Sequence, residues 1–312
     1  MPESSEQRRL LDWLHDRFPD SPLKRLKGWF ADGRVTLDGK PVNKFHEVCS
    51  DPGDRLQLGE TVKKTDASGR RGKTTDFKIR DTRLRLVHVD EHLLVADKEA
   101  GLLSVPAEGV KAQSALDILR GETRLPIQPV HRLDRFTSGL ICFAVGDAAR
   151  SALIESLRAG EIDRQYIAFV EGTLPERQGT WVNHLELDHR GDQQVAGKPS
   201  ETSTRAVTHY WISQTLKRGP VAVFSKLKLT LETGLKHQIR LQAASAGVPL
   251  LGDRGYHTKY MDADGRPLHI PIDRQALHAW HLSVPHPETG ETIEFESPLA
   301  RDLTLLQRWM KE

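Results

Sequence analysis

The front of the chain combines the apolar spacing of two short helices with that of strands. Segments 6–18 and 22–31 repeat apolar residues at helical intervals. The dipeptide Asp38-Gly39 favours a tight hairpin turn, and 53–58 has the alternation of a closing strand. The predicted buried face of the first helix is Leu10, Leu11, Leu14 and Phe18, and that of the second is Leu23, Leu26 and Phe30. These patterns predict a small αβ domain over residues 1–60.

A polar stretch separates this front domain from a strand-rich body. Residues 61–81 lack apolar periodicity and read as a basic linker. Strands are predicted in the body at 84–89, 93–96, 140–145, 166–170, 204–212, 226–232, 280–284 and 292–296, and helices at 147–159 and 236–246. Because helices do not alternate regularly with strands, the body at 82–312 is predicted to be an α+β domain with a largely antiparallel mixed sheet.

Composition places the chain among folded proteins of reducing compartments. Of its 312 residues, 38% are hydrophobic and 28% are charged, which suits a packed core. No apolar run reaches the length of a membrane span, and the N-terminus lacks the pattern of a secretory signal. The only two cysteines, Cys49 and Cys142, are too few for a disulfide scaffold and fit a protein of the reducing cytoplasm.

The net charge of +2 conceals an uneven distribution. Residues 1–85 contain 19 lysines and arginines against 14 acidic residues, whereas the rest contains 26 against 29. The basic front indicates an anionic partner such as nucleic acid, although ordinary solubilising charge would give the same balance.

Several common catalytic signatures are absent from the sequence. It has no phosphate-binding loop, dinucleotide fingerprint or nucleophile elbow, so Ser138 is a poor hydrolase nucleophile. His278 and His281 are three residues apart, but no cysteine or carboxylate completes a metal site with them. Neither a metal nor another cofactor is therefore predicted.

The densest chemistry lies in 128–145, where a charged cluster leads into a continuous apolar strand. Asp134 stands between Arg132 and Arg135, and nearby positive charge keeps a carboxylate ionised. Such an aspartate suits a nucleophile or an electrostatic partner. A structural ion pair or a capped turn would explain the same pattern.

The sequence H-R-L-D-R-F-T-S-G-L at 131–140 resembles the H-R-L-D-x-x-T-S-G-L signature of the RluA family of pseudouridine synthases. Four further segments resemble family motifs in the family's order, namely 90–101, 160–172, 233–256 and 274–291. The resemblance implies an enzyme that needs no cofactor and flips a uridine of an RNA chain into a pocket, where the uridine becomes pseudouridine.

The resemblance also implies roles for single residues. Asp134 matches the catalytic aspartate, Tyr166 the tyrosine that stacks on the target base, and Arg240 the arginine that pairs with the aspartate. Arg132 matches the residue that fills the space left by the flipped base. By pattern alone, Tyr166 would be a core residue and Arg240 a surface residue. Further substrate contacts are expected from His131, Arg135, Thr137, Lys236, His237 and Gln238, of which His131 and Thr137 also suit structural roles in the turn.

The front domain has R-L-L-D-W-L at 9–14, the predicted helix at 22–31, the turn G-R-V-x-L-D-G-K at 33–40 and G-D-x-L at 53–56. In these features it resembles an S4 RNA-binding domain, so it is expected to contact RNA phosphates without reading sequence. The expected contacts are Lys24, Arg25, Lys27, Arg34 and Lys40. An unrelated αβ appendage is the alternative. Three departures from the family pattern, Glu99, Leu235 and Ala300, leave the catalytic positions intact, but loss of positive charge at 235 affects the expected choice of RNA.

Three classes of function remain open at this point. The first is a monomeric synthase acting on large-subunit ribosomal RNA, with transfer RNA as the second substrate. The second is a non-catalytic RNA-binding or ribosome-assembly factor with the same fold. The third, a hydrolase that uses Asp134 with nearby histidines, has the weakest support.

Overall fold

The computed structural model divides the chain into two compact units, residues 1–72 and 73–312. The structure describes residues 8–19, 21, 26, 28–30, 34–42, 47–50, 52–59, 77, 79–189, 191–218, 222–256, 260 and 269–311. Most of the predicted second helix, including Leu23, Lys24, Arg25 and Lys27, lies outside these residues, as does most of the predicted linker.

The first unit is a small αβ structure. Its elements are β1 (Arg8–Arg9), α1 (Leu10–Arg17), β2 (Val35–Leu37), β3 (Lys40–Pro41), β4 (Val48–Cys49) and β5 (Leu56–Leu58). The predicted hairpin joins β2 to β3, and both turn residues have positive φ, 51° at Asp38 and 74° at Gly39, as a tight hairpin requires. The predicted face of the first helix is buried, together with Leu26, Trp29, Phe30, Val35 and Leu56.

In the described part of the second unit, one sheet of eleven strands forms the scaffold. Its main path runs β12-β11-β13-β14-β10-β15-β9-β7-β6, while β16 pairs with β15 and β8 with β9. The strands are β6 (Leu84–Val89), β7 (Leu93–Lys98), β8 (Ile127–Pro129), β9 (Ser138–Val145), β10 (Asp163–Glu171), β11 (Gln178–Leu187), β12 (Gln193–Val195), β13 (Thr204–Arg218), β14 (Ala222–Leu231), β15 (Leu277–Pro285) and β16 (Thr292–Glu296). The mixed, largely antiparallel sheet and the α+β class are as predicted.

Among the described strands, only β9 and β15 pair in parallel, and they meet very closely. Gly139 of β9 has a φ of 109°, and a Cβ there would lie 2.1 Å from the carbonyl oxygen of Ala279. Only glycine permits this approach. It fixes the start of β9 against the centre of the sheet, directly after the segment that carries Asp134.

Four described helices cover the sheet: α2 (Ala115–Thr123), α3 (Asp147–Arg158), α4 (Gln238–Ser245) and α5 (Arg301–Trp309). Helices α3 and α4 confirm the two helices predicted in the body, whereas α2, α5, β8, β11 and β12 were not predicted. Helix α2 begins with a capping box in which Ser114 and Asp117 exchange hydrogen bonds with each other's backbone. No described helix has the length and apolar character that crossing a membrane would need.

Candidate active site

Asp134 lies in the turn between β8 and β9, and its side chain is 16% exposed. The turn is closed by a hydrogen bond from the Thr137 backbone N–H to the Asp134 carbonyl oxygen (3.0 Å). The Ser104 hydroxyl accepts from the Leu133 N–H and donates to the Leu133 carbonyl. These bonds anchor the backbone on either side of Asp134, so the carboxylate has a defined position.

A buried lysine beneath this turn ties it to the end of β7. Lys98 is fully buried, and its Nζ donates to the carbonyl oxygens of Leu102, Arg135 and Thr137 at 2.7–3.2 Å and to that of Glu99. Burial lowers the pKa of Lys98 to about 7, and the positive charge of Arg274 acts in the same direction. The role of Lys98 was not predicted from the sequence, although it belongs to the 90–101 segment that resembles the family.

Arg240 of α4 stands between two carboxylates. Its Nε and Nη2 donate to the two oxygens of Asp253 at 2.8 Å, and its Nη1 is 3.6 Å from Asp134 Oδ2. Burial lowers the pKa of Arg240, but the hydrogen bond and the charge of Asp253, with the charge of Asp134, outweigh it and raise the pKa. Asp253 therefore fixes the guanidinium beside Asp134. Asp253 was not singled out from the sequence, although it belongs to the 233–256 segment that resembles the family.

His237 approaches Asp134 from another direction. Its Nε2 is 3.9 Å from Asp134 Oδ1, and its Nδ1 shares a hydrogen bond of 2.9 Å with the Tyr256 hydroxyl. Burial lowers the pKa of His237, while the Asp134 carboxylate opposes this shift. His237 thus lies in the outer part of the site, within reach of a nucleotide bound at Asp134.

Tyr166, on β10, is 5% exposed and lines the same cavity as Asp134. Burial raises the pKa of its hydroxyl to about 12; Arg164 opposes this shift and Asp134 adds to it. The phenol is therefore neutral at physiological pH. The cavity has a volume of about 420 Å³ and an opening to solvent, within the range of small-molecule sites.

The other predicted site residues divide into two groups. Arg132 and Lys236 are exposed, line the cavity and are free to meet an incoming nucleotide. Arg135 is exposed but does not line the cavity, because its Nε donates to the Gly101 carbonyl and its guanidinium lies over Phe136.

His131, Thr137 and Gln238 contact protein groups. The Cys142 N–H donates to His131 Nε2, and burial with the charge of Arg164 lowers the pKa of His131 to about 3. Thr137 Oγ1 accepts from Gln275, and the Gln238 amide bonds to Thr233, Leu235, Val207 and Thr208. All three residues also line the cavity. Their hydrogen bonds hold this part of the lining in place, and the predicted substrate contacts stay predictions.

In the first unit, Arg34 and Lys40 differ. Arg34 is 3% exposed and its guanidinium lies over the Trp29 ring, which does not fit the predicted contact with RNA. Lys40 is exposed at the hairpin and remains available to a partner.

Among the described residues, no group of three or more His, Cys, Asp or Glu side chains is arranged to hold a metal ion. His278 instead bonds through Nδ1 to the Ser138 hydroxyl at 2.9 Å.

Comparisons with known proteins agree with this geometry. Residues 92–245 match a family described as RNA pseudouridylate synthase. The chain is 31% identical to a ribosomal large subunit pseudouridine synthase D of Xanthomonas campestris pv. campestris, covering 100% of this chain and 92% of that protein. It is 32% identical to the protein of the same name from Pseudomonas aeruginosa, covering 95% and 89%. The human RNA pseudouridylate synthase domain containing 1 has the same fold, with a TM-score of 0.56 and 23% identity over 72% of this chain and 87% of that one.

Proposed function

Because the chain belongs to the RluA-type family of RNA pseudouridine synthases, and is thus an RNA-modifying isomerase, we propose that it converts uridines of large-subunit ribosomal RNA to pseudouridine with Asp134 as the catalytic aspartate. The observation that carries this proposal is the position of the Asp134 carboxylate. It lines a cavity of about 420 Å³ together with Tyr166 and is 3.6 Å from Arg240.

The reaction is an isomerisation without net gain or loss of atoms. The C1′–N1 bond breaks, the base turns, and a C1′–C5 bond forms; C5 loses a proton and N1 gains one. Asp134 acts on the sugar, either by attack at C1′ or through a glycal-type route. Both use the Asp134 carboxylate, and Arg240 Nη1 lies 3.6 Å from its Oδ2.

Tyr166 supplies the surface on which the detached base rests. Its ring lines the cavity, and base–aromatic stacking contributes about 1–3 kcal/mol. With a pKa of about 12, the hydroxyl is protonated and adds no negative charge beside Asp134. Stacking would hold the base within reach of C1′ while it turns.

A uridine within a folded RNA cannot reach this cavity without leaving its stack. We propose that Arg132 takes the vacated space and that Lys236 contacts the backbone, because both are exposed residues of the cavity lining. His237 would complete the nucleotide contacts.

The first unit is proposed as an S4-like RNA-binding arm. Lys40 is exposed, and Lys24, Arg25 and Lys27 add positive charge to the same unit. We propose that the enzyme acts in the cytoplasm as a monomer, where it meets ribosomal RNA before or during assembly. The names of the bacterial relatives favour ribosomal RNA over transfer RNA.

A non-catalytic RNA-binding factor is the competing function. Such a protein would not need an arginine held by a buried carboxylate beside Asp134. The same reasoning disfavours a hydrolase, because the nearest histidine, His237, is 3.9 Å from Asp134 and bonds to Tyr256 through its other nitrogen.

Pseudouridine mapping of all ribosomal and transfer RNA tests the proposal. Cells lacking the protein are compared with the same cells carrying either the parent or Asp134→Asn. We expect particular large-subunit uridines to lose the modification and only the parent to restore it. Loss confined to transfer RNA would change the substrate, and restoration by Asp134→Asn, or no altered site, would contradict the catalytic proposal.

A further inference from the structure

The cavity contains a buried arginine that has no ion-pair partner among the residues that the structure describes. Arg164 is 6% exposed and lines the cavity with Asp134 and Tyr166. Within the described part of the chain, its Nε has no hydrogen-bond acceptor and its guanidinium forms no ion pair. Arg240, in the same cavity, differs from Arg164 because it bonds to the Asp253 carboxylate through two nitrogens.

The groups around Arg164 do not neutralise it. Arg164 influences the pKa values of His131, Cys142 and Tyr166, and all three are neutral at physiological pH, with pKa values of about 3, 12 and 12, respectively. The Asp134 carboxylate lines the same cavity but forms no ion pair with Arg164; among the described residues, its ion pairs are with Arg240 and His237. A buried charge without a partner destabilises a folded protein. The cavity therefore presents an unpaired positive charge to whatever binds in it.

The backbone is shaped to accept this guanidinium. A Cβ at Gly234 would lie 2.5 Å from Arg164 Nη1, so the 233–237 loop passes close to the guanidinium at a position without a side chain. The same loop presents Lys236 and His237 to the cavity. The guanidinium is therefore built into the floor of the cavity and does not extend from its rim.

We propose that Arg164 is a catalytic residue that binds the uracil base and stabilises the negative charge it acquires when the C1′–N1 bond breaks; this inference rests on the proposed function. By either route at C1′, the electron pair of that bond stays with the base as a uracil anion. The charge spreads over N1 and the two carbonyl oxygens until C5 bonds to C1′. As that bond forms, the ester bond between Asp134 and C1′ breaks or, by the glycal-type route, Asp134 returns the C2′ proton to the sugar. C5 then gives its proton to water at the opening of the cavity, and N1 takes one up from water. A buried cation held at a fixed position stabilises such a charge.

Position favours the base over an RNA phosphate as the ligand. Arg164 and Tyr166 lie on the cavity side of β10, two residues or about 7 Å apart along the strand. A base stacked on Tyr166 would place its oxygen-bearing edge toward the guanidinium. The cations suited to phosphates, Arg132 and Lys236, are exposed, whereas Arg164 is buried.

The test uses the full-length enzyme with unmodified large-subunit ribosomal RNA transcribed in vitro. The variant Arg164→Met keeps the side-chain length and removes the charge, and Arg164→Lys keeps the charge. Arg308→Met, at an exposed position of α5, controls for the loss of one positive charge. Single-turnover rate at saturating RNA, dissociation constant and thermal midpoint are measured for each protein.

We expect Arg164→Met to lose about 10²–10³-fold in single-turnover rate with an unchanged dissociation constant. Its thermal midpoint should equal or exceed that of the parent, because the uncompensated charge is gone. Arg164→Lys should recover part of the rate, and Arg308→Met should match the parent. A lowered midpoint with a proportionate loss of active protein would instead mean a structural role and overturn the inference.

A second arm replaces uridine by 5-fluorouridine in the transcript, and loss of the original N1-linked nucleoside is followed. Fluorine withdraws electrons and makes the base a better leaving group, so the defect of Arg164→Met should shrink at least tenfold. An equal defect on both RNAs, or weaker binding with a flatter salt dependence at an unchanged rate, would make the ligand a phosphate and overturn the inference. If the parent and Arg164→Met are equally active, the inference about Arg164 is overturned and the proposed function stands. If the parent converts no uridine, the proposed function is overturned as well.

Discussion

At the scale of single residues, the site is organised by charges that are paired in different ways. Asp253 holds Arg240 beside Asp134, and Lys98 holds the turn through backbone carbonyl oxygens. The Nε of Arg164 has no hydrogen-bond partner among the described residues. None of these three cations forms a close bidentate ion pair with the Asp134 carboxylate; Arg240, at 3.6 Å, forms its bidentate pair with Asp253.

Asp253 supports Arg240, so its replacement should affect catalysis more than binding. In Asp253→Asn, the guanidinium loses a charged acceptor that now holds it through two bonds of 2.8 Å. We expect a loss of up to about 10²-fold in single-turnover rate from the displaced guanidinium. The dissociation constant for RNA should not change.

The matched control is Asp273→Asn, because Asp273 is 98% exposed and pairs with Arg254 on the surface. It should behave like the parent, since exposed ion pairs contribute little. Equal rates for Asp253→Asn and the parent would show that Arg240 needs no support from the second carboxylate.

Leu235 illustrates how a departure from the family pattern fits into the fold. Its partly buried side chain packs against the apolar group formed by Leu185, Ala206 and Leu241. The position thus adds an apolar contact between the 233–237 loop and the sheet. It contributes no positive charge to the cavity rim, where Lys236 is the exposed cation of the loop.

At the scale of elements, the parallel contact between β9 and β15 sets the position of the catalytic turn. Gly139→Ala would put a methyl group 2.1 Å from the Ala279 carbonyl oxygen at a φ of 109°. Steric overlap and backbone strain together should cost about 2–5 kcal/mol of unfolding free energy. Urea denaturation measures this loss.

Gly160→Ala separates the two contributions. Gly160 also has a positive φ, 71°, but a Cβ there would meet no atom within 4 Å, so the strain of about 1–2 kcal/mol acts alone. Gly139→Ala should be the less stable variant and should also lose activity through displacement of Asp134. Equal losses of stability in the two would mean that the strands can move apart at no cost.

Elements with a clear period were predictable, whereas elements that depend on context were not. The continuous apolar run at 140–145 became β9, which is buried along its whole length. Strand β11 escaped prediction because only Trp181 and Leu185 among its residues are fully buried, which leaves a weak alternation. Helix α5 carried a usable signal, since Leu303, Leu306 and Met310 have helical spacing and are all buried.

At the scale of the whole molecule, the sequence placed the chemistry but not its supports. Asp134, Tyr166 and Arg240 lie far apart in the chain and were predicted together through the family resemblance; the cavity lining contains all three. Asp253 and Arg164 were missed because their roles depend on contacts across the fold and on a missing counter-charge. Such features are invisible in a linear pattern of residue types.

The uneven charge of the chain leads to a prediction about RNA affinity. Replacing Lys24, Arg25 and Lys27 together by alanine removes three cations from the first unit. If each contacts a phosphate, affinity should fall and the slope of log K against log salt should become shallower by about 2–3. Binding of large-subunit ribosomal RNA is measured from 50 to 300 mM salt, beside a triple alanine variant of Lys217, Arg308 and Lys311 in the second unit. A slope that changes equally in both triple variants would show non-specific attraction and would count against the first unit as an RNA-binding arm.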